Sequence, residues 1–215
     1  MERSVDVIGI YGGSGFGREV LPTLRAQYAQ SGARIVFIDD YAEGEINGTP
    51  TYSFDNFQKI PGDKRVTIAI ADAAVRRKLV AKCEDAGIGF VDVEAQNVVI
   101  GDVVTIGDGP VLCPFVHLTS NVVIGRHFHA NIYSYVAHDC RIGDFVTFAP
   151  SVKCNGNVHI GNDAYIGTGA ILRQGTPERP LMIGEGAVVG MGAVVTKDVP
   201  AGVTVIGNPA RILEK

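Results

Sequence analysis

The stretch "VVIGDVVTIGDGPVLCPFVHLTSNVVIG", residues 98–125, carries an aliphatic residue at every sixth position from Ile100 onward. Continued in steps of six, the pattern gives thirteen apolar residues without a break, ending at Leu172. A chain with 46% hydrophobic residues would fill about half of such positions by chance. Residues 98–172 therefore form a structural repeat.

Each repeat unit contains a second column of small or β-branched residues, four positions after the aliphatic one. Glycine or asparagine often follows the aliphatic residue directly, as at Gly101, Gly107, Gly125 and Asn131, and we interpret these as corners that need a positive φ. Such units predict a three-sided parallel β-helix with eighteen residues per coil. At "TPERP", residues 176–180, the register slips, so we expect a loop there and about five coils in all.

The first part of the chain follows a different pattern, because residues 5–94 alternate β-branched runs with helical stretches. This alternation predicts βαβ units around a small parallel sheet. Both helices are expected to pack on that sheet through one apolar face each, formed by Val20, Leu21, Leu24 and Tyr28 in the first and by Val75, Leu79, Val80 and Cys83 in the second.

The turn "GGSGFG", residues 12–17, joins the first strand to the first helix and leaves a helix N-terminus that favours an anion. It departs from the dinucleotide pattern G-x-G-x-x-G, because Arg18 stands where the third glycine is needed. The turn thus favours a phosphate-bearing or nucleotide ligand other than NAD, with a bare tight turn as the alternative. Asp39 and Asp40 end the second strand, where open α/β sheets bind ligands, although a solvated turn would also explain them.

Composition excludes several classes of function. The formal net charge is −4 and the basic residues are scattered, so nucleic acid is not an expected partner. The sequence contains neither an apolar run long enough for membrane insertion nor a secretory signal, which predicts a cytoplasmic protein. The cysteines at 83, 113, 140 and 154 have no metal-binding spacing, so we expect reduced thiols in the core and no metal.

Three features together resemble the sialic-acid/bacillosamine type of nucleotide-sugar acetyltransferases over essentially the whole chain. They are the hexapeptide repeat, the N-terminal "IYGGSGFGREV" of residues 10–20 and the C-terminal "VVTKDVPAGVTVIGNPARIL" of residues 194–213. The resemblance implies a Rossmann-like nucleotide-sugar-binding domain at residues 1–94 and a left-handed β-helix acyltransferase domain at residues 95–215. It also implies a homotrimer.

The activity that this resemblance implies is acetyl-CoA-dependent N-acetylation of a nucleotide-linked amino-deoxy sugar, with C4 as the expected position, in surface-glycan biosynthesis. Acetyl-CoA is then a co-substrate. An O-acetyltransferase acting on a sugar or sialic-acid hydroxyl is one alternative. A nucleotide-sugar binder without catalytic activity is another.

His138 and Asp139, in "SYVAHDC" at residues 134–140, match the histidine and carboxylate pair of the family. His138 comes two positions after the inward Val136, so its imidazole is expected at a corner, pointing out of the coil. The resemblance implies that His138 is the general base and that Asp139 orients it, and a neutral imidazole suits this task. A solvated surface histidine is the alternative, and we expect His117, His127, His129 and His159 to be surface residues.

Other site residues follow from the resemblance alone. Nucleotide-sugar contacts are implied for Ser14, Gly15, Phe16, Asp39, Asp40, Tyr41, Ala71, Asp72 and Asn131. Contacts with the coenzyme are implied for Thr147, Gly156, Thr168 and Gly190. Thr147 stands where relatives often have a second histidine, and Ala71 where many have glycine. Asn131 could equally be a corner residue, and the backbone of Gly156 could approach the thioester.

Overall fold

The computed structural model describes residues 5–42 and 44–214. The chain divides into two compact units, one ending at Gln96 and the other beginning at Asn97. Within the described residues, no helix has both the length and the apolar character needed to cross a membrane.

The first unit is an α/β structure. Its elements are β1 (Val7–Tyr11), α1 (Gly15–Gln27), β2 (Arg34–Ile38), β3 (Gly44–Ile46), β4 (Thr49–Tyr52), α2 (Phe54–Gln58), β5 (Lys64–Ile68), α3 (Ala73–Asp85), β6 (Gly89–Phe90) and β7 (Val93–Glu94).

Six strands form the sheet of this unit, in the order β3-β4-β2-β1-β5-β6. All neighbours are parallel except β3 and β4, which form a hairpin. The hairpin and α2 were missed by the sequence analysis. The hairpin had a recognisable signal, because Asn47 and Gly48 both have positive φ, as a tight Asn-Gly turn requires.

The predicted helix face of α1 is correct for Val20, Leu21 and Leu24, which are buried, whereas Tyr28 follows the helix as its C-cap and is only half-buried. The predicted face of α3 is only half correct, because Val75 is 41% exposed and the fully buried residue next to it is Arg76. A face chosen by hydrophobic spacing cannot foresee a buried guanidinium.

The second unit is built from short strands. They are β8 (Val99–Ile100), β9 (Val104–Ile106), β10 (Val111–Leu112), β11 (His117–Leu118), β12 (Val122–Ile124), β13 (His129–Ala130), β14 (Tyr135–Val136), β15 (Arg141–Ile142), β16 (Thr147–Phe148), β17 (Lys153–Cys154), β18 (Val158–Ile160), β19 (Tyr165–Ile166), β20 (Ile171–Leu172), β21 (Leu181–Ile183), β22 (Val188–Val189), β23 (Val194–Val195), β24 (Thr204–Ile206) and β25 (Arg211–Ile212).

These strands form three faces. Face 1 contains β10, β13, β16, β19, β22, β24 and β25, face 2 contains β8, β11, β14, β17, β20 and β23, and face 3 contains β9, β12, β15, β18 and β21. Up to Leu172 each strand pairs in parallel with the one eighteen residues later, as Tyr135 does with Lys153. The predicted coil length is therefore present, and the pairing fits a three-sided parallel β-helix.

The interior of the coils contains the predicted columns. Every sixth residue from Leu112 to Leu172 is buried, and Ile183, Val189 and Val195 resume the series after the loop. All four cysteines are free and buried, as predicted. Ile100, in the first coil, is an exception, with 40% of its surface exposed.

The prediction that the glycines directly after the inward aliphatic residues need a positive φ is wrong. From Ile100 to Ile166, positive φ occurs three residues after each inward residue of the series and not directly after it, so Val103, Phe115 and Tyr133 adopt it while Gly107 and Gly143 do not. Those glycines are needed because the next coil lies against them. A Cβ on either would lie 2.7 Å from a backbone nitrogen of that coil.

The predicted surface position of two histidines is also wrong, because His127 and His129 are each 1% exposed. The His127 ring lies 5.0 Å from that of Phe145, the residue at the same corner one coil later. His129 lies in β13, between β10 and β16. Stacking of successive coils covers both rings. His117, by contrast, is exposed as predicted.

Candidate active site

A pocket of about 430 Å³ opens in the first unit at the carboxyl ends of β1, β2 and β5. This edge, where the strand order reverses around β1, is where open α/β sheets bind ligands. Val75 and Leu79 of α3 give it an apolar wall. Of the predicted contact residues, those that line it are Ser14, Phe16, Asp39, Asp40, Tyr41 and Ala71.

The N-terminus of α1 faces the same region. Ser14 is its N-cap and the Ser14 side chain makes no capping hydrogen bond. Gly17 allows the turn to close tightly, because a Cβ there would clash with the carbonyl oxygen of Gly12. Gly15 is different, since a Cβ there would meet no protein atom within 4 Å. The turn thus presents a helix N-terminus to open space, which suits a phosphate group.

The two aspartates after β2 have different surroundings. Asp39 accepts a long hydrogen bond from the N–H of Gly13, at 3.3 Å, and one of ordinary length from the N–H of Tyr41, at 3.0 Å. Asp40 is held more firmly, because it accepts from the Tyr11 hydroxyl at 2.6 Å, from Lys82 Nζ at 2.9 Å and from the Phe54 N–H at 2.8 Å. Asp39 is the carboxylate with more capacity left for a ligand.

Electrostatics support this division. Burial alone would raise the pKa of Asp40, but the hydrogen bonds from Phe54, Tyr11 and Lys82, with the charge of Lys82, hold that pKa below its usual value. Burial, followed by the bond to Asp40, raises the pKa of Tyr11 far above its ordinary value. Asp40 is therefore a charged carboxylate that already accepts three hydrogen bonds within the protein.

We predict that Asp40→Asn destabilises the first unit by about 1 kcal/mol near neutral pH, less than hydrogen bonds to charged groups usually contribute, because the pair with Lys82 is partly exposed. A lowered pKa in the folded state stabilises above the unfolded value of 3.8, and this contribution is lost as the pH falls through the folded value. The wild type should lose more stability on acidification than the variant. Urea denaturation between pH 7 and pH 3 measures both, and parallel curves would contradict the assignment.

Two residues near the pocket support its rim. Arg76, which the sequence analysis missed, donates from Nη1 to the carbonyl oxygens of Ile70 at 2.7 Å and Ala71 at 3.1 Å. Asp72, predicted as a substrate contact, accepts from the Val75 N–H at 2.8 Å and caps α3. Both side chains hold the segment after β5 in place.

His138 and Asp139 lie together on the corner between faces 2 and 3. The two side chains meet at 2.7 Å, from His138 Nδ1 to Asp139 Oδ2, and are 44% and 45% exposed. Successive side chains of a strand point to opposite faces, so neighbouring residues of a strand do not pair in this way. Asp139 has a φ of 59°, and this corner conformation allows its side chain to contact that of His138. In a neutral imidazole whose Nδ1 donates to this carboxylate, Nε2 keeps a lone pair.

Gly156 lies one coil further along the same corner, directly against the imidazole. A Cβ there would be 2.5 Å from both Cε1 and Nε2 of His138. Its carbonyl oxygen accepts from the Gly175 N–H at 2.9 Å. His138, Asp139 and Gly156 are thus brought together within one chain.

The remaining predicted residues of this unit lie elsewhere. Asn131, Thr168 and Gly190 are on the corner between faces 1 and 2, so the width of face 2 separates them from His138. Thr147 is in β16 of face 1 and only 2% exposed. One chain therefore does not assemble the whole predicted acyl-transfer site. In the described part of the chain, no three His, Cys, Asp or Glu side chains converge as a metal site would require.

Comparisons with known proteins agree with this geometry. The family model of the PglD N-terminal domain matches residues 7–83. GDP-perosamine N-acetyltransferase from Escherichia coli O157:H7 is 48% identical over 98% of both chains.

Solved structures extend the likeness to the whole fold. WeeI from Acinetobacter baumannii AYE is 60% identical, with a TM-score of 0.94 over 96% of this chain and 99% of its own. PerB from Caulobacter crescentus, solved with CoA and GDP-perosamine, is 28% identical with a TM-score of 0.85 over 100% of both chains. The resemblance found in the sequence is confirmed, and the chain belongs to the nucleotide-sugar acetyltransferase family.

Proposed function

We propose that this protein transfers the acetyl group of acetyl-CoA to the amino group of a nucleotide-linked amino sugar, with His138 as the general base. The observation that carries the proposal is the 2.7 Å bond from His138 Nδ1 to Asp139, which leaves Nε2 free beside Gly156. The 48% identical relative, named as a GDP-perosamine N-acetyltransferase, supports the same reaction.

The first unit binds the nucleotide part of the substrate. Its pocket combines an apolar wall with the exposed N-terminus of α1, and we propose that Ser14, Gly15 and Phe16 contact phosphate oxygens. Asp39 and Tyr41 border the side that we assign to the base. GDP-perosamine is the first substrate to test, because two relatives carry its name or bind it. The C4 amino group is the proposed acceptor.

The chemistry follows from the pair on the corner. The amine nitrogen attacks the thioester carbonyl, and Nε2 of His138 takes the proton that the nitrogen loses. Asp139 stabilises the resulting imidazolium. The N–H of Gly156 is proposed to donate to the developing oxyanion. The C–S bond then breaks and the proton passes from Nε2 to the CoA thiolate, which yields the amide and free CoA.

The coils are proposed to be left-handed, as in the family that the sequence resembles, and to assemble as a homotrimer. The separation of His138 from Asn131, Thr168 and Gly190 across face 2 supports assembly, because a second copy can bring its own corner to His138. The coenzyme would then lie between two copies. We propose that the enzyme acts in the cytoplasm, in surface-glycan biosynthesis.

A mixing experiment tests this shared site. His138→Ala and Thr168→Trp each damage one of the two corners, so each variant alone should be inactive. In oligomers reassembled from equal amounts, each of the two corners of a site is intact with a probability of about one half. About a quarter of the sites should therefore have both corners intact and regain activity. A mixture no more active than the two variants alone would show that one chain carries the entire site.

Acceptor chemistry is tested with purified protein and acetyl-CoA. Release of the CoA thiol is followed with GDP-, UDP- and dTDP-linked amino sugars and with the matching hydroxyl sugars. We expect release with an amino-sugar nucleotide and none with its hydroxyl counterpart. Release with the hydroxyl sugars only would identify an O-acetyltransferase, and no release with any acceptor would leave a binding protein.

A further inference from the structure

Gly156 lies beneath the ring of His138. Gly107 and Gly143 instead make room for the next coil, where a backbone nitrogen would lie 2.7 Å from an added Cβ. At Gly156 an added Cβ would meet the imidazole instead, at 2.5 Å from Cε1 and Nε2 and 3.0 Å from Cδ2. The imidazole of His138 thus occupies the space that a side chain at position 156 would need.

Backbone conformation does not require glycine at this position. Positive φ occurs at Asn157, the residue after Gly156, and at Asp139, which follows His138 at the same corner one coil earlier. Gly156 itself does not have a positive φ. Its φ is therefore one that alanine also adopts, and the three atoms nearest to an added Cβ all belong to the imidazole.

The backbone around Gly156 is held on several sides. The Asn155 side chain accepts from the Tyr135 hydroxyl at 2.8 Å and donates to the Leu172 carbonyl oxygen at 2.8 Å. The Gly156 carbonyl oxygen accepts from the Gly175 N–H at 2.9 Å, and the Asn157 N–H donates to the His138 carbonyl oxygen at 3.0 Å. The peptide beneath the ring therefore has little freedom to move away.

The imidazole is the part that can move. Its side chain is 44% exposed and its one described side-chain bond is to Asp139. We infer that Gly156 is a positioning residue, whose lack of a side chain keeps the His138 ring against Asp139 with Nε2 directed at the substrate. This inference rests on the proposed function, in which His138 is the base.

The experiment compares Gly156→Ala with Gly143→Ala. Gly156→Ala should keep a melting temperature near that of the wild type, because the added methyl displaces an exposed ring. Its kcat should fall about 100-fold, since an error of about 1 Å in a catalytic group has that effect. KM for acetyl-CoA should change little, because alanine keeps the N–H. Gly143→Ala should show the reverse, a lower melting temperature with nearly normal kcat in the folded protein.

A second readout separates positioning from a general structural role. In the His138→Ala background, Gly156→Ala should cause no further loss of kcat, because the ring that it displaces is gone. An additional loss in the double variant would overturn the inference.

The position of the ring distinguishes this inference from the proposed function. A crystal structure of Gly156→Ala should show the imidazole turned away from Asp139. An unmoved ring would overturn the positioning role, whatever the activity. A displaced ring with wild-type kcat would leave the positioning role intact and contradict the assignment of His138 as the base.

Discussion

His138→Ala is expected to lower kcat by about 10² to 10⁴-fold, the usual contribution of a positioned general base. The amine must lose a proton during attack. In the proposed mechanism Nε2 of His138 takes that proton, because Nδ1 is bonded to Asp139. Melting temperature and oligomer size should stay near the wild-type values, since the side chain is partly exposed. Steady-state kinetics with a nucleotide-linked amino sugar and acetyl-CoA measure the loss.

Two matched variants sharpen this test. Asp139→Asn keeps the shape of the pair and removes its charge, so it should reduce kcat less than His138→Ala does. His159→Ala removes a histidine from face 3, outside the proposed site, and should leave kcat unchanged. A His138→Ala enzyme with near wild-type turnover would show that the corner pair is not the base.

Gly15→Trp is expected to raise KM for the nucleotide sugar about tenfold or more and to leave KM for acetyl-CoA unchanged. A Cβ at this position would meet no side chain and no backbone outside its own helix turn within 4 Å, so the substitution should leave the fold of the first unit intact. A bulky side chain there can therefore lower affinity only by occupying space that the ligand needs. Calorimetric titration with the nucleotide sugar and with acetyl-CoA measures both affinities directly.

The same titration tests the nature of the ligand. Gly15→Ala is the control, since a single methyl should change the affinity for the nucleotide sugar only slightly. Unchanged affinity in Gly15→Trp would show that the phosphates lie elsewhere. Tight binding of NAD(P)H, with none of any amino-sugar nucleotide, would contradict our assignment of the pocket.

The repeat could be read from the sequence because six-residue spacing places one side chain inward in each face, as the burial of the series from Leu112 to Leu172 shows. The corner conformation could not be read in the same way. Val103, Phe115 and Tyr133 adopt positive φ although bulky residues avoid it, because closure of the coil outweighs local preference. The glycines directly after the aliphatic residues report the approach of a coil that is eighteen residues away in sequence.

In the candidate site, too, contacts between neighbours in the sequence could be predicted and contacts between distant residues could not. His138 and Asp139 are adjacent in sequence, so their pairing could be expected. The partners of Asp40 could not, because Tyr11 and Lys82 are 29 and 42 residues away and meet it only through the sheet and α3. For the same reason the sequence did not show that Arg76 supports the pocket.

The most direct test of the central claim is NMR of the product formed from acetyl-CoA labelled with ¹³C in the carbonyl group and a nucleotide sugar labelled with ¹⁵N in the amino group. If the enzyme transfers acetyl to nitrogen, the product will show a one-bond coupling between the labelled carbon and the labelled nitrogen, and His138→Ala will form it far more slowly. Labelled acetyl on a sugar oxygen, or labelled acetate with the amine unchanged, would contradict the account.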